Sequence, residues 1–65
     1  MPLFTFYPCR ADGSATAFET FELSGVAEAM IRARRVLDQH PSAVEVVVWR
    51  DERRVGGVER HHDPA

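Results

Sequence analysis

The run VEVVVWR, residues 44–50, limits what this chain can fold into because it is apolar at both alternating positions. In a β-strand, successive side chains point to opposite faces of the sheet. Val46 and Val48 therefore share one face, while Val47 and Trp49 share the other. A small domain can cover one sheet face with its own helix, so the second face needs a separate explanation.

The size of the chain makes that second face important. With 65 residues there is room for one domain. Such a domain buries only about 60% of its unfolded surface, so its core is marginal unless a staple or an association adds to it. Cys9 is the single cysteine, which excludes an internal disulfide bond, and no Cys/His spacing is typical of a zinc site. The composition therefore favours association with another chain.

The charge balance argues against two classes of partner. The formal net charge is −2, and all 8 basic residues are arginine. This gives no overall attraction to nucleic acid or to an anionic membrane, although arginine can still bind carboxylates and phosphates locally. The sequence shows neither a targeting segment nor an apolar run of membrane-spanning length, so we expect a cytoplasmic protein.

Alternation and turn signals predict two strands at the start of the chain. Residues 3–7 form the first strand, which Pro8 stops, and residues 17–23 form the second. The connection contains Asp12-Gly13, a strong turn dipeptide. A helix reaching back into residues 17–23 is a competing interpretation, because Ala, Glu and Leu permit it.

Helical periodicity is clear from Val26 onward and predicts a helix over residues 25–39, with Ser24 as N-cap. Pro41 ends the helix, and His40 lies at its C-terminus, where a partly charged imidazole suits the dipole. The apolar stripe contains Val26, Ala29, Met30, Ala33 and Leu37, with Val36 beside it. Two pairs have the i,i+4 spacing of ion pairs: Glu28 with Arg32, and Arg34 with Asp38.

The last part of the chain predicts a second hairpin. Residues 44–50 form the strongest strand, and residues 54–60 return as a weaker one with a bulge or bend at Gly56-Gly57. The fold class is therefore α+β, ordered β-β-α-β-β, with a small antiparallel-type sheet and one helix packed on one face. We expect a single domain over residues 1–60 and a disordered tail over 61–65.

Strand parity then divides the apolar side chains between the two faces. The helix is expected to cover Phe4, Phe6, Phe21, Leu23, Val44, Val46 and Val48. The opposite parity carries Leu3, Tyr7, Phe18, Val47 and Trp49. Contiguous exposed apolar patches mark interfaces, so we predict a non-enzymatic homodimer, or a small protein partner, at Tyr7, Phe18, Val47 and Trp49. The alternative is that Trp49 and Tyr7 lie at a sheet edge with their polar tips in water.

The opening Met1-Pro2 and strand, together with VEVVVWRDERRVGG, resemble the small members of the tautomerase superfamily. The resemblance implies that Pro2, freed of Met1, is a catalytic base, with Arg10 and Arg50 binding a carboxylate. A prolyl nitrogen acylated by Met1 has no basic lone pair, and the strand before the helix is an extra element. Proline catalysis is therefore an alternative to the interaction module.

Other reactive residues give weaker indications. Cys9 has Arg10 beside it, which could lower a thiol pKa, but no base is placed near it, so an incidental cysteine is the better interpretation. His61, His62 and Asp63 are metal ligands by type, but they lie in the tail without a partner at helical spacing. We predict no catalytic residue, no cofactor and no metal site.

Arginine is concentrated in two places. The helix carries Arg32, Arg34 and Arg35, and the second hairpin carries Arg50, Arg53 and Arg54. The hairpin arginines are candidate anion contacts, and with Trp49 nearby they could bind single-stranded nucleic acid through charge and stacking. Acidic residues interrupt both clusters (Asp38, Asp51 and Glu52), so solvated, salt-linked faces are favoured over nucleic-acid binding.

Taken together, the MPLFTF strand, the DG turn, the LSGVAEAMIRARRVL helix and the closing VEVVVWRDERRV resemble a family of short, uncharacterised bacterial proteins of alphaproteobacterial type. The similarity covers most of the chain, although these motifs are mainly fold signatures. The short link His40-Pro41-Ser42 and the HHDPA tail depart from it. The resemblance implies the β-β-α-β-β fold and no assigned activity or catalytic residues.

Overall fold

The computed structural model describes residues 1–15 and 17–60, which form four strands and one helix in the predicted order. The elements are β1 (Leu3–Cys9), β2 (Glu19–Glu22), α1 (Val26–Gln39), β3 (Glu45–Arg50) and β4 (Arg53–Glu59). The strands pair antiparallel in the order β2-β1-β3-β4, and α1 packs on one face of the sheet. The α+β prediction is confirmed. The predicted tail, with His61, His62 and Asp63, lies outside the described residues.

The core lies between α1 and one face of the sheet. Phe4 and Phe6 of β1 and Val46 and Val48 of β3 are fully buried there. The helix supplies Ala29, Ala33, Val36 and Leu37, and the partly buried side chains at the margin are Phe21, Leu23, Met30, Val55 and Val58. Each strand therefore gives alternate residues to the core, as a half-covered antiparallel sheet requires.

Two members of the expected core are wrong. Val26, the first residue of the predicted helix stripe and of α1, is 43% exposed and lies outside the core cluster. Val44 precedes β3 and is 37% exposed, whereas the neighbouring Ala43 is buried and belongs to the core cluster. The backbone of Val44 bridges two elements, because its N–H donates to the Cys9 carbonyl and its carbonyl accepts from the Arg60 N–H. The strand parity of residues 46–48 therefore does not extend back to Val44.

Residues 19–22 form a strand, so the helical interpretation of this segment is wrong. Phe21 pairs with Phe4 and its ring meets that of Phe6 edge-on, with centroids 5.6 Å apart. This aromatic contact holds β2 against the core margin. Thr20 and Glu22 alternate with Phe21 and are exposed.

Pro8 does not stop β1, contrary to expectation, but lies within it opposite Val46. The Cys9 carbonyl accepts a hydrogen bond from the Val44 N–H on the β3 side, so the nitrogen of Pro8 points the other way. On that side β2 pairs only with β1 residues up to Phe6. The missing N–H therefore removes no bond between β1 and β2.

Both ends of α1 differ from the simplest capping scheme. The N-cap is Gly25 rather than Ser24, and it makes no side-chain capping bond. The Glu28 carboxylate instead accepts a hydrogen bond from the Ser24 N–H at 3.2 Å, and hydrogen bonding to Ser24 lowers the pKa of the Glu28 carboxyl. This bond satisfies one backbone donor beside the helix N-terminus, as the acidic half of a capping box does.

At the other end, the Arg60 guanidinium binds three backbone carbonyl oxygens. Its Nε donates to Ala43 at 3.0 Å, and one Nη donates to Leu37 at 2.7 Å and to His40 at 3.2 Å. A cation at a helix C-terminus satisfies unpaired carbonyls and complements the dipole. No sequence pattern indicates this role, because Arg60 is far from the helix along the chain and approaches it only in the folded structure.

The expected ion pairs on α1 do not form within the described part of the chain, where the contact at ion-pair distance joins His40 Nε2 and Glu19 Oε2, 3.5 Å apart. Arg32 lies over the Phe21 ring at 4.4 Å from its centroid, and Glu28 bonds to the Ser24 backbone. Glu28 therefore bonds to a backbone group four residues before it, and Arg32 makes a cation–π contact with β2, in place of the expected pair.

β4 contains a bulge, but at Val55 and not at the predicted Gly56-Gly57, because Val48 pairs with Gly56 and the next residue, Trp49, pairs with Arg54. The two glycines that follow are closely approached by different groups. A Cβ at Gly57 would lie 2.8 Å from the Val46 carbonyl oxygen, whereas a Cβ at Gly56 would meet the terminal methyl of Met30 at 2.8 Å. A backbone oxygen in a sheet cannot move aside, but the end of a methionine side chain can adopt another rotamer.

We therefore expect Gly57→Ala to destabilise the protein by about 1–3 kcal/mol, the usual cost of overpacking. Gly56→Ala is the matched control and should cost less than half as much, because Met30 can give way. Chemical denaturation of both variants measures the difference. Equal stability of the two variants would contradict the close approach at Gly57.

Candidate functional site

The sheet face turned away from α1 is called the open face here. Strand register arranges its side chains in three rows that run across β1, β3 and β4. The tryptophan row contains Thr5, Trp49 and Arg54. The central row contains Tyr7, Val47 and Gly57. The glutamate row contains Cys9, Glu45 and Glu59.

The middle of the open face is apolar. A shallow concavity of about 400 Å³ is lined by Tyr7, Cys9, Ala15, Val47 and Trp49. Phe18, 63% exposed, precedes β2 and packs on Tyr7 with ring centroids 5.9 Å apart. The structure thus places the four predicted contact residues on one face. Tyr7 and Trp49 lie on the two central strands and not at a sheet edge, so the edge alternative does not describe them.

Cys9 forms part of the floor of this concavity. It is 8% exposed, and its thiol lies 3.4 Å from the Tyr7 carbonyl oxygen as a hydrogen-bond donor. Burial raises the pKa of the Cys9 thiol, the Glu45 carboxylate raises it further, and the Arg54 guanidinium lowers it. A raised thiol pKa is the reverse of what an activated nucleophile needs.

The charges of the open face are separated along the strands. Glu45 and Glu59 are direct cross-strand partners, so two carboxylates meet in the glutamate row. Arg54 lies in the tryptophan row, opposite Trp49. Like charges directly opposite each other destabilise a strand pair. On β3 and β4 the open face therefore has two carboxylates at one end, an apolar middle and Arg54 at the other end, while Glu22 of β2 lies one row beyond the tryptophan row.

The three hairpin arginines do not converge on one site. Arg50 pairs with Arg53 and with Phe4, which places both arginines on the face that carries α1, whereas Arg54 is on the open face. A concavity of about 540 Å³ beside the β3–β4 turn is lined by Arg50, Asp51, Glu52, Arg53 and Val55. Its two acidic residues balance its two arginines, so this larger concavity offers little net attraction for an anion.

The residues implied by the tautomerase resemblance lie at different ends of the sheet. Pro2 precedes β1, and its carbonyl accepts a hydrogen bond from the Leu23 N–H at 3.1 Å. Arg50 lies at the same end, opposite Phe4. Arg10 follows β1 at the far end, about 26 Å away at about 3.3 Å per residue. Arg10 and Pro2 therefore cannot contact one small substrate together.

The helix arginines lie outside the open face. Arg32 covers Phe21, while Arg34 and Arg35 line a concavity with Met30, Ile31 and Val58. Ile31 is 63% exposed at this position. Within residues 1–15 and 17–60, no three His, Cys, Asp or Glu side chains are grouped as metal ligands. The helix in this part of the chain is not long and apolar enough to cross a bilayer.

Sequence reasoning missed two features of the open face. The sequence suggests an incidental Cys9 and not a member of the apolar concavity, and it does not indicate that Arg54 and the glutamate row lie on one face. Both follow from strand parity once the register and the bulge are known, since the bulge determines which hairpin arginine shares a face with Trp49.

Comparison of the chain with protein-family models, with curated proteins and with solved structures finds no significant match. The open face is therefore interpreted from its own geometry and chemistry.

The electrostatics of the open face can be tested through the reactivity of Cys9. Glu45→Gln removes a carboxylate that raises the thiol pKa, so alkylation by iodoacetamide at neutral pH should become faster. Arg54→Gln removes a cation that lowers the pKa, so alkylation should become slower. The rate is measured as a function of pH at low protein concentration. Rate changes in the same direction for both variants would contradict the opposing effects of the two charges.

Proposed function

We propose that this chain is a non-enzymatic protein-interaction module that forms a homodimer through the open face. Tyr7, Phe18, Val47 and Trp49 are the contact residues. The observation that carries the proposal is the apolar concavity at the centre of the sheet, on the face opposite α1. A continuous apolar surface in this position is typical of an interface.

The composition of the core supports the need for association. Three of the nine residues in the buried core cluster are alanines, two on α1 at positions 29 and 33 and one before β3 at position 43, and each buries less apolar surface than a larger side chain would. Burial of apolar surface contributes about 25 cal/mol per Å². Covering the open face would therefore add stability that a chain of this size cannot obtain from one covered face.

The dimensions of the sheet set the expected strength of the dimer. Four strands about 4.8 Å apart and four to seven residues long make a face of roughly 400 Å². A standard interface buries about 800 Å² of accessible surface per partner. The side chains and Phe18 enlarge the contact area, but the interface remains smaller than the standard one. We therefore expect a weak dimer whose population depends on protein concentration.

Single-stranded nucleic acid is the second candidate, because Trp49 and Arg54 lie side by side on the open face. An aromatic ring beside an arginine is a usual stacking and charge combination. The carboxylates of Glu45 and Glu59 share that face and repel a phosphate backbone, which favours the protein partner. Binding of an oligonucleotide that weakens steeply with salt would reverse this order.

The homodimer is tested by Trp49→Glu with Ile31→Glu as matched control. Trp49 lies on the open face and Ile31 lies on the outer surface of α1, so both variants exchange an apolar side chain for the same acid. Loss of a central aromatic contact costs about 2 kcal/mol or more, which is roughly a thirtyfold weaker association. Sedimentation equilibrium of the wild type and both variants measures it.

We expect the wild type and Ile31→Glu to share one dissociation constant and Trp49→Glu to remain monomeric over the same concentration range. Far-ultraviolet circular dichroism verifies that each variant is folded. A wild type that stays monomeric at millimolar concentration, or a Trp49→Glu protein that dimerises as the wild type does, would show that the open face is not a dimer interface.

A further inference from the structure

The outer rows of the open face lie at equal distances from the central row. On β3, Val47 is two residues from Trp49 and two residues from Glu45. On β4, Gly57 separates Arg54 from Glu59 on the same face. A rotation that exchanges the two ends of the strands therefore brings the tryptophan row of one sheet, which carries Arg54, over the glutamate row of another.

We propose that the occupant of the open face is a second copy of this chain, turned about a twofold axis that crosses the strands along the central row. In this arrangement Arg54 of each copy lies against Glu45 and Glu59 of the other. The proposal rests on the homodimer proposed above and adds its orientation and the residues that determine it. Two such contacts form in each dimer, because a twofold interface is isologous.

The glutamate row supports this arrangement from within a single copy. The carboxylates of Glu45 and Glu59 are opposed across β3 and β4, which is unfavourable unless a cation lies between them. The guanidinium of the Arg60 side chain is committed to the carbonyls of Ala43, Leu37 and His40. An arginine from a second copy, with five N–H donors in a planar fork, can bind both carboxylates.

Arg54 can reach such a position. Gly57 carries no side chain, so the space beside Arg54 along β4 is open on this face. The Arg54 charge also lowers the pKa of the Cys9 thiol, which lies in the glutamate row. The electrostatic effect of the Arg54 guanidinium therefore extends from the tryptophan row to the glutamate row. Exposed charges of this kind direct the orientation and rate of association more than its strength.

The same axis places the apolar side chains together. Tyr7 and Val47 lie on the axis, so each faces the same residue of the second copy, while Phe18 packs beside Tyr7. Trp49 of one copy faces Glu45 of the other, where its indole N–H can donate to the carboxylate. Sheets packed face to face keep their strands within about 30° of each other, and the proposed antiparallel stacking is compatible with that angle.

Two alternative dimer arrangements would place Arg54 against other residues, and they suggest the control variants. An axis parallel to the strands would bring Arg54 toward the β2 edge, where Glu22 pairs with Leu3 on the open face. Pairing of two β4 edges would instead extend the sheet and leave the open faces unstacked, so Arg54 would not meet Glu45 and Glu59 of the other copy. Arg53 pairs with Arg50 on the α1 side, so Arg53→Glu has the same charge change as Arg54→Glu on the other face.

The experiment is a charge exchange followed by sedimentation equilibrium at low ionic strength, where exposed charges are least screened. Arg54→Glu alone and the double variant Glu45→Arg/Glu59→Arg should each dimerise about tenfold more weakly than the wild type. An equimolar mixture of these two proteins should form a heterodimer with at least the wild-type affinity, identified by its mass in native mass spectrometry. The triple variant should again form a homodimer.

The controls separate the orientation from the interface itself. Arg53→Glu and Glu22→Arg should dimerise as the wild type does. The orientation is overturned if Arg54→Glu dimerises normally, if Glu22→Arg and not Glu45→Arg/Glu59→Arg rescues it, or if Arg53→Glu has the larger effect. In those cases Trp49→Glu still abolishes the dimer. If the wild type itself is monomeric, the proposed homodimer fails and the orientation fails with it.

Discussion

The packing of α1 on one side of a sheet that is apolar on both sides is the constraint on which the rest of the structure depends. A single helix can cover only one face, and the covered face takes the residues of one strand parity. Val46 and Val48 are consequently inside, while Val47 and Trp49 line an open concavity. The proposed interface is the open face, which α1 does not cover.

Several local features depend on the same packing. Because β2 pairs only as far as Phe6, β1 can contain a proline at position 8 without losing a bond between strands. Because β4 runs beneath the helix, Arg60 reaches the carbonyls at the C-terminus of α1. The bulge in β4 turns Arg54 toward the open face and leaves Arg53 on the other. Each feature joins residues that are distant in the sequence.

The sequence was sufficient to predict the element order, the helix and the division of apolar residues between faces, because strand and helix periodicities are local properties. The expected ion pair of Glu28 and Arg32 does not form, because other partners compete for both side chains. Glu28 accepts a hydrogen bond from the Ser24 backbone, and Arg32 lies over the Phe21 ring of β2. Pro8 and Val44 were misplaced because strand ends depend on pairing partners. The charge pattern of the open face was missed because it depends on strand register.

Trp49 is the only tryptophan in the chain, so its fluorescence reports whether a second copy buries it. The emission maximum is measured while the protein is diluted from high to low concentration. We expect a shift to longer wavelength as the dimer dissociates and water reaches the indole, with the same midpoint as in sedimentation. An emission maximum that is independent of concentration, in a protein that sediments as a dimer at the upper end of the range, would contradict it.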